Sequence, residues 1–175
     1  IWQKLIDVNG STAKEMLNMV MKTFLNHFDV DRAVYIRYNE RTPQVLYNDT
    51  EKEITPEITR MRVHIHENPE LGLQEYNTCA LLEDYVKKNV RYDRLKRVGE
   101  TGLFFELKGT KPGNGPTIVF RGDIDALPIQ EDASMSPRSK VPGVMHACGH
   151  DVHGTINMGA AKILSEMKDQ FSGSI

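Results

Sequence analysis

The run "TIVFRGDID", residues 117–125, narrows the choice of fold more than any other stretch of this chain. "TIVF" is apolar without alternation, which suits a strand covered on both faces and therefore a sheet flanked by helices. Two acids, Asp123 and Asp125, follow at once. In α/β folds the groups that bind and react commonly sit just past the carboxyl end of such a strand. A second apolar run, "GLFFELKG" (102–109), precedes it, and "TKPGNGP" between them reads as a hairpin-type turn. That connection lacks the Gly-Lys-Ser/Thr ending of a phosphate loop.

Helical patterns surround these strands. Thr55 can cap a helix with Pro56 at its first position, where the missing N–H costs nothing. Ile58, Met61 and Ile65 give that helix an apolar face, and Asn68-Pro69 ends it. A second helix is expected over about residues 73–89, with Leu82, Tyr85, Val86 and Val90 near one face and Cys79 sharing it as a small buried residue. A last helix, "TINMGAAKILSEM" (155–167), carries Gly159, Ala160 and Ala161, which allow close packing. From residue 51 onward the chain thus reads as two helices, two strands and a last helix.

Residues 1–50 read differently. "TAKEMLNMVMKTFLNHF" (12–28) has helical spacing, while "AVYIRY" (33–38) and "QVLYN" read as a strand and its return. This is a short α+β segment set off by the acidic stretch "DTEKEITPE" (49–57). The chain opens on Ile1 and stops after "DQFSGSI", so it reads as a piece of something longer.

Between the last strand and the last helix lies "GVMHACGHDVHG" (143–154), with three of the six histidines and one of the two cysteines. If the segment is extended, His146, Cys148 and His150 face one way and Asp151 the other. Imidazole, thiolate and carboxylate are the usual ligands of zinc and similar divalent ions. The spacing is not that of a closed structural zinc site, so a catalytic metal recruiting distant ligands is the better metal reading. Two alternatives stand beside it: Cys148 as a thiol nucleophile with a histidine base, and histidines that are simply hydrogen-bonded in a loop.

Composition excludes other classes. The net charge of −2 argues against nucleic acid or an anionic membrane as partner. No apolar run reaches the ~18 residues of a membrane helix. Two cysteines form no disulfide framework, and no signal peptide is visible, so a cytoplasmic location is expected.

Three blocks in order, "MRVHIHENPELGLQEYNT" (61–78), "FRGDIDALPIQE" (120–131) and "GVMHACGHDVHGT" (143–155), resemble the amino-terminal part of the metal-dependent amidohydrolases. That family includes hippurate hydrolase, auxin-conjugate hydrolases, N-acyl-amino-acid deacylases and related carboxypeptidases. The resemblance runs from about residue 55 to the end. It implies part of a three-layer α/β/α catalytic domain of the zinc-exopeptidase type, with two divalent metals drawn from zinc, manganese, nickel or cobalt. It implies hydrolysis of an amide in N-acyl amino acids or similar small molecules, and it leaves room for a homodimer. Carried over by position, Cys148 and His150 match metal ligands, and Asp125 matches the acid that orients a ligand from behind. Asp123 lies where wider relatives have a histidine ligand, and Arg121 can neutralise it. His146, Asp151 and His153 are expected to hydrogen-bond or to start the helix. The family's general-base glutamate comes after the last helix, beyond Ile175, so the chain alone is expected to be inactive and to bind metal weakly. Residues 15–40 faintly resemble the opening of a GAF sensory domain. A non-catalytic sensory fragment or a metal-binding remnant is the rival reading.

Overall fold

The computed structural model describes residues 49–175. The expected helix and hairpin of residues 1–48 lie outside the described residues. Residues 53–175 form one compact unit.

Helix α1 spans Asp49–Glu67. It starts ahead of Thr55 and contains Pro56 in its interior, which corrects the expected start at Pro56. The proline ring holds φ at a helical value and costs the helix one backbone bond. The residues before it, Glu51, Lys52 and Glu53, are good helix formers that carry the chain into it. Ile58, Met61 and Ile65 are buried, as the i, i+3, i+7 spacing requires. Asn68 closes the helix, its backbone N–H on His64 O at 3.1 Å and its side chain on the same oxygen at 2.8 Å.

Helix α2 spans Tyr76–Asn89 and buries Thr78, Cys79, Leu82, Tyr85 and Val86. No side chain at its own N-cap position bonds the first turn. Glu70 does so from outside, accepting the backbone N–H of Asn77 at 3.0 Å and of Thr78 at 2.7 Å. A carboxylate there satisfies orphan donors and meets the positive end of the helix dipole. Partial burial alone would make Glu70 harder to ionise, but these bonds together outweigh it, and Glu70 ionises below its ordinary value of 4.5.

The strands pair otherwise than expected. β1 (Arg94–Val98) and β2 (Gly102–Glu106) form an antiparallel hairpin, with Arg94 opposite Glu106 and Val98 opposite Gly102. The runs 102–109 and 117–125 do not pair with each other. The end of the chain lies between them. Leu107 and Ile175 exchange backbone bonds at 2.8 and 2.9 Å, and Ile118 N–H reaches Ser174 O at 2.9 Å. Ser174 thus bridges Lys108 in antiparallel and Thr117 in parallel sense. The crossover from Thr117 through the last helix to Ser174 joins parallel segments, as a βαβ unit does. "TKPGNGP" is therefore the span over an inserted segment, not a tight hairpin. Nor is "TIVF" covered on both faces among the described residues, since Val119 is 65% exposed.

Helix α3 spans His150–Glu166, starting five residues earlier than expected. It packs on α2, and its buried face includes Gly154, Met158, Gly159, Ala160, Ala161, Ile163 and Leu164. A 3-10 turn, Lys168–Gln170, returns the chain to the sheet. Among the described residues no helix is long and apolar enough to cross a membrane. Helices with a small sheet make this part of an α/β domain.

Candidate metal centre

The centre lies where the segment after Thr117 meets the first turn of α3. Gly149 precedes that turn with φ 75°, a left-handed backbone that favours glycine. It redirects the chain so that His146, Cys148 and His150 do not share a face, contrary to the extended reading. His146 is buried, Cys148 is exposed, and His150 is half-buried as the first residue of α3.

Asp125 faces His150. Its Oδ1 is 2.8 Å from His150 Nδ1, and its backbone oxygen is 3.1 Å from the same nitrogen. Two oxygens around Nδ1 favour the tautomer with hydrogen there, which leaves Nε2 as a free donor of electrons. His153 lies one turn on, its ring stacked on that of His150 with centroids 5.2 Å apart. Asp123 completes the group: one ligand atom each from Asp123, His150 and His153 falls within 4.8 Å of the others. Gly122 permits this approach, since a Cβ there would stand 2.9 Å from His153 O. Arg121 holds Asp123 Oδ1 at 2.7 Å. Cys148 is a free, exposed thiol outside the converging group.

The chemistry of this donor set fits a divalent cation: two imidazoles and a carboxylate, with a further carboxylate behind one imidazole. Sequence reasoning does not single out His153 and Asp123 as ligands. The signal available for His153 is its i+3 spacing from His150, which becomes informative only once the helix is known to start at 150.

The opposite side of the same turn is closed. Asp151 Oδ2 accepts from Arg62 Nε at 2.8 Å and lies 2.9 Å from His66 Nδ1. His66 Nε2 lies 2.9 Å from Glu131 Oε1, and the other Glu131 oxygen accepts the backbone N–H of Ser139. Both histidine contacts are hydrogen bonds when both ring nitrogens carry hydrogen. Glu131 is held below its ordinary value of 4.5: burial alone would raise it, but the Ser139 and His66 bonds prevail. His146 sits nearby with neither ring nitrogen bonded. Burial pushes it below its ordinary 6.5, against the pull of Asp151 and with the help of His66 and His150.

Residues 119–175 match the family model of Peptidase family M20/M25/M40. The chain is 43% identical over 131 residues to thermostable carboxypeptidase 2 of Saccharolobus solfataricus, an alignment covering 74% of this chain and 32% of the relative. It is 38% identical over 123 residues to the N-acyl-L-amino acid amidohydrolase of Geobacillus stearothermophilus, covering 70% and 32%. A crystal structure from Bacillus subtilis, described as a dinuclear metal-binding peptidase of the M20 family, superposes with a TM-score of 0.64 at 37% identity, covering 70% of this chain and 34% of that one. Residues 119–175 thus match the M20 family, and the described part of the chain shares the α/β fold of its M20 structural neighbour. The chain spans about one third of the length of the relatives it matches.

Proposed function

We propose that the protein to which these residues belong hydrolyses the amide bond of N-acyl amino acids or similar small amides, using two divalent metals. The Asp125–His150 pair carries this reading: the Asp125 carboxylate fixes the imidazole through Nδ1, and the ring lies in one group with Asp123 and His153. His150 holds the metal, Asp125 orients His150, and Cys148 is a further ligand once its exposed thiol turns inward. Asp123 and His153 are the donors nearest to share the load. A bound divalent ion supplies Lewis acidity for the carbonyl and makes a water acidic enough to ionise near neutral pH. Zinc, manganese, nickel and cobalt all suit the donors.

The names of the relatives support the substrate class, and the dinuclear centre of the structural neighbour supports a pair of metals. The converging donors include no glutamate to move a proton from water to the leaving amine. On this reading the 175-residue chain by itself binds metal weakly and does not turn over. Two unpaired cysteines suit a reducing cytoplasm. The partner is a small amide rather than nucleic acid or membrane, and the reading leaves room for a homodimer of the complete enzyme.

Calorimetric titration with Zn2+ tests the assignment. His150→Ala should weaken binding by more than about tenfold, above the usual effect of losing an orienting partner. Unchanged binding would refute it. Normal turnover of an N-acyl amino acid by the chain alone would refute the inactivity.

A further inference from the structure

We propose that His66 is a positioning residue for the metal centre, acting through Asp151 and Glu131. The inference rests on the reading of His150 as a ligand. His66 touches neither His150 nor Asp125, yet it ties down the segments that carry both.

The first tie is to α3. Asp151 follows His150 on the same helical turn and is 1% exposed. Arg62 and His66 lie one turn apart on α1, so their side chains share a face, and both meet Asp151 Oδ2. A helical backbone is stiff over one turn, so fixing Asp151 fixes the rotation at which His150 leaves α3. The second tie is to the loop that begins after Asp125. Glu131, 3% exposed, takes the other ring nitrogen of His66. The loop is also fastened where it leaves and returns: Ala126 N–H bonds Glu70 O at 2.7 Å, and Leu127 and Met145 exchange backbone bonds at 2.9 and 3.0 Å. His66 is thus an anchor common to the Asp125 segment and the His150 turn.

Stability alone is a weak reason for such a network, because apolar residues of similar volume commonly stabilise an interior as well as buried ions do. The rest of α3 is seated by such apolar packing. The charged contacts of α1 with α3 fall on the turn that bears His150.

Co2+ titrated into the full chain reads both affinity and ligand geometry, the latter through its visible absorption. In His66→Gln the amide can still donate to Glu131, but its oxygen faces Asp151. The expected result is circular dichroism as in the parent, Co2+ affinity lower by about tenfold, and a shifted absorption band. Leu107→Ala is the control, because Leu107 is buried in the sheet away from this turn. It should lower stability and leave Co2+ affinity unaltered. Unaltered affinity in His66→Gln, or an equal loss in Leu107→Ala, overturns the proposal. If His66→Gln does not fold, Glu131→Gln decides, because it keeps an acceptor for His66 without the charge. A several-fold loss of affinity there supports the positioning role, and parent-like affinity overturns it. The ligand reading fails separately: His150→Ala would then bind Co2+ as the parent does.

Discussion

His150 and Asp151 are neighbours in sequence and opposites in surroundings. The Asp151 carboxylate is 1% exposed and shared by Arg62 and His66, and the Arg62 guanidinium opposes its charge. The His150 ring is 19% exposed, has one nitrogen on Asp125, and keeps the other free. One turn of helix thus separates a closed polar network from an open one. The difference teaches where chemistry can occur. Asp151 Oδ2 is held by two partners in the interior while Oδ1 has none. A buried group held in this way contributes rigidity, whereas a fixed donor with an open position toward solvent can take a ligand.

The sharpest way to break the comparison is to replace the two residues in turn. Asp151→Ala leaves Arg62 without its carboxylate and His66 with Glu131 alone. Removing one partner of a buried ion pair costs about 3–5 kcal/mol, so urea unfolding should show a large loss of stability. His150→Ala should lose metal but little stability, as its ring is partly in solvent. If both variants lose stability equally, the two faces do not differ in kind.

Much of this arrangement is legible in the sequence, though unevenly. Ile58, Met61 and Ile65 declare the inner face of α1 because helical periodicity is local. The same holds for Cys79, Leu82, Tyr85 and Val86 on α2. The block 143–155 announces donors because their residue types are chemically rare together. β1 is not legible: "RLKRV" has apolar residues separated by charge, and it is a strand because β2 lies opposite it. The start of α3 at His150 is hidden because Gly149, without a capping side chain, stands where Ser, Thr or Asp would signal a helix. The His66 network cannot be read at all, since its members lie 65 and 85 residues away from His66 along the chain. The sheet order is misread because the partner of both apolar runs is the chain end, which carries no strand pattern of its own.

A smaller effect sharpens the comparison at the turn shared by both faces. At Gly149, with φ 75°, a Cβ would meet no atom within 4 Å, so Gly149→Ala tests backbone conformation without a clash. The left-handed conformation costs an L-residue about 1–2 kcal/mol. Thermal unfolding should register that loss, and Zn2+ affinity should fall in parallel if the turn relaxes. Lost stability with unaltered affinity would show that the open face does not depend on the conformation of Gly149.

The smallest expected effect comes from a polar contact outside both faces, and it serves as their baseline. Glu70→Gln keeps an oxygen to accept from Asn77 or Thr78 but removes the charge that meets the α2 dipole, at a cost of about 0.5–1 kcal/mol. The pH dependence follows from the direction of the shift. Glu70 ionises more readily in the folded protein than its ordinary 4.5, so the unfolded chain binds the proton more tightly. The carboxylate's contribution is therefore complete above the unfolded value and is lost as pH falls through the lower folded one. Urea midpoints of parent and Glu70→Gln should differ by a constant amount well above the ordinary 4.5 and converge as pH falls through the lower folded value. Metal affinity should be the same in both at neutral pH, because the Glu70 side chain serves only the cap of α2, and the backbone oxygen that holds Ala126 is kept in Glu70→Gln. A drop in Zn2+ affinity comparable to that of His66→Gln would mean that the centre responds to any loss of polar contact, and the distinction between the closed and open faces of α3 would dissolve.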